Sequence, residues 1–309
     1  MPKVFIDGKA GTTGLRIYER LEARRDIELI TLSEELRKDA AARKQALNSA
    51  DVVFLCLPDA AAIEAAAMVE NSNTVIIDTS TAHRTNDDWC YGFPEICGQK
   101  QKIAASKRIA NPGCHATGFI SLIAPLTQCG IVKATAKLSC FSLTGYSGGG
   151  KKMIADYENE QLKSSLLAPR TYGLSQSHKH LPEIVKICGL ENAPAFSPIV
   201  SSYYSGMEVA ITLFADDING DIEKIKQTYK EYYTGPLVKY VEAADENGFM
   251  SAAAFSGRDD MEISVFGNNE RITLISRFDN LGKGASGAAI QNMNILLSVD
   301  ETAGLNIGG

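Results

Sequence analysis

The first quarter of the chain alternates between two hydrophobic periods, and no other feature constrains the fold as tightly. Apolar runs at Lys3–Asp7, Ile27–Leu32, Asp51–Leu57 and Thr74–Asp78 read as strands, with helical segments at Glu34–Asn48 and Ala60–Glu70. Strands separated by helices pair in parallel through right-handed crossovers, so this region is α/β and doubly wound. Ligands of such sheets bind at the carboxyl ends of the strands. The first strand runs into Gly8-Lys9-Ala10-Gly11-Thr12-Thr13-Gly14, after which Leu15, Tyr18 and Leu21 continue at helical spacing. This is the form of a phosphate cradle: glycines let the backbone approach an anion, and a helix N-terminus faces it. Gly8, Gly11, Thr12, Thr13 and Gly14 are therefore candidate cofactor-binding residues. The spacing is G-x-x-G-x-x-G rather than the usual G-x-G-x-x-G, so a tight structural turn is the competing reading.

The end of the second strand selects the dinucleotide. An acid there binds a ribose 2′-hydroxyl, whereas basic residues accept a 2′-phosphate. Ser33, Arg37 and Lys38 lean towards NADP, and Glu34 pulls the other way. Pro58 stands at the carboxyl end of the third strand, where it would line the crevice. Arg84, past the fourth strand, is either an anion clamp suited to phosphate or carboxylate or a surface ion-pair partner. Lys102–Ala110 reads as a further strand.

That strand leads into Asn111-Pro112-Gly113-Cys114-His115-Ala116-Thr117-Gly118. A turn followed by helical spacing at Ala116, Phe119, Ile120 and Ile123 puts Cys114 at a helix N-terminus. The helix dipole favours a thiolate there, which marks Cys114 as a candidate nucleophile. A buried structural cysteine is the plain alternative. Pro125 should kink or divide the helix.

Composition excludes several classes. The 309 residues carry 31 basic and 37 acidic side chains for a net charge of −6, with no basic cluster to suit nucleic acid. No apolar run reaches membrane-spanning length, and no leader segment precedes the first strand. The seven cysteines are scattered without a C-x-x-C pair, which argues against disulfides and zinc and for a reducing cytoplasm.

Beyond the cysteine helix the pattern changes. Lys133–Leu143 reads as a strand, followed by Gly145-Tyr146-Ser147-Gly148-Gly149-Gly150-Lys151, either a second anion-binding loop with Lys151 as its cation or a flexible linker. Tyr172 opens a dense patch that ends His178-Lys179-His180-Leu181-Pro182-Glu183. A histidine that moves protons for a thiolate enzyme suits it better than a metal site, since nothing completes a ligand set. Residues two apart share a face on a strand and diverge on a helix, so either His178 or His180 could serve. Residues 196–214 read as extended with a break near Gly206. Met261–Phe266 and Arg271–Phe278 read as a hairpin, and Asp221–Tyr233 as a helix. These elements make an α+β region with a mainly antiparallel sheet. A last helix opens near Gly284 and should pack back against the first domain.

With those patches located, the chain resembles the N-acetyl-gamma-glutamyl-phosphate reductase family of arginine biosynthesis, in its shorter form, over essentially its whole length. The glycine turn, Asn111–Thr117, Gly145–Gly150, His178–Glu183 and Asp279-Asn280-Leu281-Gly282-Lys283-Gly284-Ala285 carry the resemblance. It implies a Rossmann NADP(H) domain over 1–113 and 285–309 and a catalytic and oligomerisation domain over 114–284. It implies an acyl-phosphate substrate attacked by Cys114, a thioester reduced by hydride to the semialdehyde, and a histidine acid/base, with His178 favoured. Arg84, Ser147, Lys151, Tyr172, His180 and Glu183 would bind or position substrate, and Asn280 would contact cofactor. A cytoplasmic homodimer or homotetramer without a bound metal is the implied assembly. Aspartate-semialdehyde dehydrogenases are related, with a different cysteine motif. The competing classes are a cysteine hydrolase and a nucleotide-binding sensor without catalysis.

Overall fold

A computed structural model describes residues 1–308, with the side chain of Lys163 left aside. The chain divides into two compact units. One holds Met1–Pro94, Gly98–Pro112 and Ala285–Leu305; the other holds Glu95–Cys97, Gly113–Gly284 and the residues from Asn306.

The first unit contains β1 (Lys3–Asp7), α1 (Thr12–Leu21), β2 (Glu28–Ile30), α2 (Ala40–Ser49), β3 (Val52–Leu55), α3 (Asp59–Ala67), β4 (Val75–Asp78), β5 (Cys90–Tyr91), α4 (Gln99–Ala104) and β6 (Arg108–Ala110). Its sheet runs β2-β1-β3-β4-β6-β5, and every pairing is parallel. β1 lies between β2 and β3, so the order reverses there and the carboxyl end of β1 faces the crevice such a reversal opens. The strands are apolar on both faces, as a sheet covered on both sides requires: Val53, Phe54, Ile76 and Ile77 are fully buried. α2 starts later than its hydrophobic pattern suggests, because Asp39 caps it by accepting from the Ala42 N–H at 2.7 Å. Lys102–Ala110 is not one strand. Its first half belongs to α4, and only Arg108–Ala110 joins the sheet.

The second unit contains α5 (Cys114–Gln128), β7 (Ser139–Gly145), α6 (Gly150–Glu158), β8 (Arg170–Thr171), α7 (Leu181–Cys188), β9 (Ala195–Ser201), β10 (Met207–Phe214), α8 (Ile222–Tyr232), β11 (Val238–Tyr240), β12 (Met261–Gly267) and β13 (Arg271–Phe278). α9 (Gly287–Leu296) then returns to the first unit, where Ala289, Ile290 and Met293 join the core beneath β1 and β3. The second sheet runs β11-β12-β13-β10-β7-β9-β8. The pairs β12/β13, β13/β10, β10/β7 and β9/β8 are antiparallel, whereas β11/β12 and β7/β9 are parallel. β7 is shorter and later than the sequence pattern indicates, starting at Ser139.

α5 is buried almost along its whole length and lies against the second sheet. Gly118 meets Val209 and Phe278 so closely that any β-carbon would overlap them. Pro125 does not divide this helix. Proline lacks the N–H that would bond the carbonyl four residues back, here that of Ser121. The Tyr233 hydroxyl donates to that carbonyl at 2.6 Å, and the Tyr229 hydroxyl donates to the next one, Leu122, at 2.5 Å. Two tyrosines from α8 and its C-terminal edge thus supply donors at the interrupted turn, and the helix continues to Gln128. Among the described residues no helix is long and apolar enough to cross a membrane.

Candidate active site and dinucleotide cradle

In the first unit the glycine turn has the geometry that a dinucleotide needs. Gly8 takes φ +89°, a conformation that L side chains rarely adopt, and it packs against the Cys56 carbonyl. The Gly11 N–H closes the turn on the Gly8 carbonyl at 2.9 Å, and a β-carbon on Gly14 would stand 2.5 Å from that same oxygen. Thr12 and Thr13 form the first turn of α1, whose N-terminus carries no side-chain cap. The approach to its open N–H groups is left to a ligand.

A cavity of about 520 Å³ adjoins the turn, lined by Asp7, Gly8, Lys9 and Ala10, by Leu29–Leu32 and by Arg37, Lys38 and Arg43. Its two acids are already engaged. Asp7 holds Arg43 through Nε and Nη2, the latter at 2.8 Å, and Glu34 pairs with Arg37 at 2.8 Å. Lys9 lies over the Tyr18 ring at 3.0 Å from its centroid, and Lys38 adds a further cation. The cavity therefore keeps a positive excess, which suits a 2′-phosphate more than a free ribose hydroxyl. Arg37 lines it. Ser33 does not, and its hydroxyl donates to Glu35 at 2.9 Å. Pro58 stands at the start of α3 as its N-terminal flanking residue. Arg84 is buried, with Nε on the Asn111 carbonyl at 2.9 Å and Nη2 on the Thr79 carbonyl at 3.0 Å, so it ties the ends of β4 and β6 together. Beside it, His83 bonds the buried Asp78 at 2.7 Å and stacks on Trp89.

The thiol centre lies wholly in the second unit. Cys114 is the first residue of α5, half-buried and reduced. The sulfur stands at the positive end of a fifteen-residue helix, where the dipole stabilises negative charge by roughly 0.3–1 kcal/mol. The Gly113 N–H preceding it donates to the buried Glu183 carboxylate at 3.2 Å. Gly284 is packed so that a β-carbon there would stand 3.0 Å from Cys114 Cβ and 3.1 Å from the Asp279 carbonyl, tighter than an ordinary contact.

Three of the chain's four histidines gather at His115, the residue after Cys114. His178 and His180 precede α7, and their turn brings both inwards, with rings 4.7 Å apart. Both pack against His115, at 5.5 and 5.6 Å between centroids. The His180 N–H donates to His178 Nδ1 at 3.2 Å, which leaves the proton of a neutral His178 on Nε2. Burial, helped by the Lys179 charge, lowers the His178 pKa. His115 is fully enclosed, with Nδ1 2.6 Å from Ser142 Oγ and Nε2 2.6 Å from Tyr172 Oη. Burial drives its pKa down to about 3, with smaller effects from His178 and Lys179. Tyr172 is raised well above the usual phenol range by burial and then by the Cys114 charge beside it.

Ser147 and Asn280 form a separate scaffold in this unit. Asn280 donates to Ser147 Oγ at 3.0 Å and accepts from the Gly206 N–H at 3.0 Å, so both ends of its amide are already hydrogen-bonded. Lys151 stands exposed in the first turn of α6. The amino-acid sequence alone assigned no role to His115 or Ser142. The one signal was a titratable side chain within an otherwise apolar helical run, next to Cys114.

Family models match both units: "Semialdehyde dehydrogenase, NAD binding domain" over residues 3–104 and "Semialdehyde dehydrogenase, dimerisation domain" over 114–280. A curated relative from Sinorhizobium medicae, N-acetyl-gamma-glutamyl-phosphate reductase, is 45% identical over 307 residues, covering 96% of this chain and 99% of its own. N-acetyl-gamma-glutamyl-phosphate reductase 2 from Nostoc is 43% identical over 321 residues, covering 98% and 99%. Among solved structures, aspartate semialdehyde dehydrogenase II from Vibrio cholerae superposes with a TM-score of 0.74 at 17% identity, covering 96% of this chain and 98% of that one. Aspartate semialdehyde dehydrogenase with NADP from Candida albicans gives 0.67 at 14% identity, covering 96% and 99%. At such identities these structures establish the shared fold and nothing finer.

Proposed function

The chain belongs to the N-acetyl-gamma-glutamyl-phosphate reductase family, and from that membership we propose that it reduces N-acetyl-gamma-glutamyl phosphate to the semialdehyde through a thioester on Cys114. The observation that supports this reading is Cys114 at the first residue of α5, with its charge felt by Tyr172 and with the adjoining His115 packed on Tyr172, His178 and His180. The cofactor is NADP(H), and the glycine turn, the uncapped α1 and the cationic cavity fit it.

Cys114 Sγ attacks the acyl carbonyl, the C–S bond forms, and the C–O bond to phosphate breaks with the electron pair leaving on phosphate. Splitting the reaction at a thioester replaces one hard reduction by two easier steps, because a thioester accepts hydride far more readily than a carboxylate. NADPH, when bound in the first unit, supplies that hydride. Neutral His178 carries its proton on Nε2 and hydrogen-bonds it to the oxygen that gains charge; burial, which lowers its pKa, keeps the ring neutral, and the charge returns to the carbonyl as the C–S bond breaks and the thiolate leaves. Glu183 anchors the Gly113 backbone and so fixes the turn that presents the sulfur. Ser147 and Asn280 brace the loop ahead of α6, and Lys151 at its head is the cation assigned to the departing phosphate. His180 and Tyr172 complete the pocket wall, and Arg84 braces the strand ends of the first unit. Seven scattered cysteines without a C-x-x-C pair suit an enzyme of a reducing cytoplasm.

The chain assembles as a homodimer through the open face of the second sheet. Phe141, Ala210 and Ile275 sit in register across β7, β10 and β13, and Phe141 and Phe214 are each 55% exposed. An apolar face of this kind marks an association surface.

The decisive experiment runs the reaction backwards, following NADP reduction with phosphate and each semialdehyde. N-acetylglutamate semialdehyde should be turned over, and Cys114→Ser should abolish the rate. Efficient turnover of aspartate semialdehyde with none of the N-acetylglutamyl substrate would overturn the proposal.

A further inference from the structure

His115 touches neither solvent nor the thiol chemistry directly, yet it joins two hydroxyls of different standing. Ser142 lies at the centre of β7, fully buried, and its hydrogen-bond partner among the described residues is His115 Nδ1 at 2.6 Å. Tyr172 is half-buried and feels the Cys114 charge, and its hydroxyl meets His115 Nε2 at 2.6 Å. A neutral imidazole donates from one nitrogen and accepts at the other, so the chain Ser142–His115–Tyr172 has two possible directions. In one, Nδ1–H donates to Ser142 and the serine proton is left without an acceptor in a dry interior, a cost that native interiors avoid. In the other, Ser142 donates to Nδ1, Nε2–H donates to Tyr172 Oη, and every buried proton is used. Only the second leaves the Tyr172 proton unspent, on a phenol close enough to Cys114 to feel its charge.

We propose that Ser142 and His115 are positioning residues that set the direction of the Tyr172 hydroxyl, so that it donates to the acyl oxygen of a substrate bound at Cys114. This rests on the thioester chemistry proposed above. The enclosure of His115 suits this role, because a ring with a pKa of about 3 stays neutral through the working range and the relay does not reverse by protonation. Tyr172, raised above the usual phenol range, keeps its proton for donation rather than losing it to the solvent. Phe196 packs on both His115 and His178, at 5.3 and 5.1 Å between centroids, and holds the imidazole plane in place.

Two measurements test the proposal. The first needs no substrate. Nitrogen-15 shifts of His115 in the wild-type protein should show Nε2 protonated and Nδ1 bare, and Ser142→Ala, which removes the donor that keeps Nδ1 bare, should leave a mixture of the two tautomers. A wild-type proton on Nδ1 overturns the relay whatever the enzyme acts on. The second is a kinetic cycle. Tyr172→Phe should lower kcat by about 100-fold, the usual loss of one preorganised oxyanion donor. Ser142→Ala should lower kcat by roughly tenfold with KM little changed, and should cost nothing further in the Tyr172→Phe background. An equal loss from Ser142→Ala in both backgrounds would overturn it, because a merely structural serine acts independently of the phenol. Absence of wild-type turnover with the proposed substrate would instead sink the functional reading and leave the tautomer result standing.

Discussion

Replacing Tyr233 by Phe isolates one oxygen in the helix that begins at Cys114. Pro125 cannot donate to the Ser121 carbonyl, and the Tyr233 hydroxyl does so at 2.6 Å in a buried setting. The variant keeps the ring and its packing and removes only the donor. A buried acceptor left unsatisfied costs about 1–3 kcal/mol, so we take about 2 kcal/mol. For a unit of 150–250 residues each kcal/mol moves the melting point by about 2–4 °C, which gives a fall of about 4–8 °C. The partner variant Pro125→Ala restores a backbone N–H at the same turn. In that background the helix supplies its own donor, and Tyr233→Phe should cost under about 1 kcal/mol. Thermal melts and urea titrations of the four proteins read the cycle directly. An equal cost of Tyr233→Phe with proline and with alanine at 125 would refute the reasoning, since the hydroxyl would then not be substituting for the missing amide.

The folded-state pKa of His115 lies below that of the unfolded chain, so the unfolded state takes up the proton first and stability falls as pH drops below about 6.5 towards 3. Between pH 6.5 and 5 the wild type should lose about 2 kcal/mol more than His115→Gln in urea titrations, and parallel profiles would contradict the assignment. Gly14→Ala places a β-carbon 2.5 Å from the Gly8 carbonyl, so NADPH fluorescence titration should show affinity at least about tenfold weaker, whereas alkylation of Cys114 stays unchanged. Phe141→Asp puts a charge on the open sheet face, and light scattering should then report a monomer; a persistent dimer would place the interface elsewhere.

Much of the fold was legible in one dimension because its causes are local. The alternation of apolar runs with helices fixed a parallel sheet, since each strand's period and each crossover's length depend on neighbouring residues. The turn before Cys114 and the apolar spacing after it set the thiol at a helix start for the same reason. Element edges were less legible where a single side chain decides them, as Asp39 does for α2.

What the sequence could not determine depended on partners far away along the chain. Pro125 should break a helix on local grounds, and it does not, because hydroxyls more than a hundred residues downstream supply donors at the interrupted turn. Arg84 reads as an anion clamp until the fold commits it to the carbonyls of Asn111 and Thr79. His178 and His180 cannot be ranked by spacing, since their turn carries both rings inwards and only the His180 N–H on His178 Nδ1 fixes where a proton sits. The sequence by itself determined that Cys114 stands at a helix start. The tertiary structure alone decided which groups surround it, because hydrogen-bond direction and burial are properties of segments brought together by folding and of no segment alone.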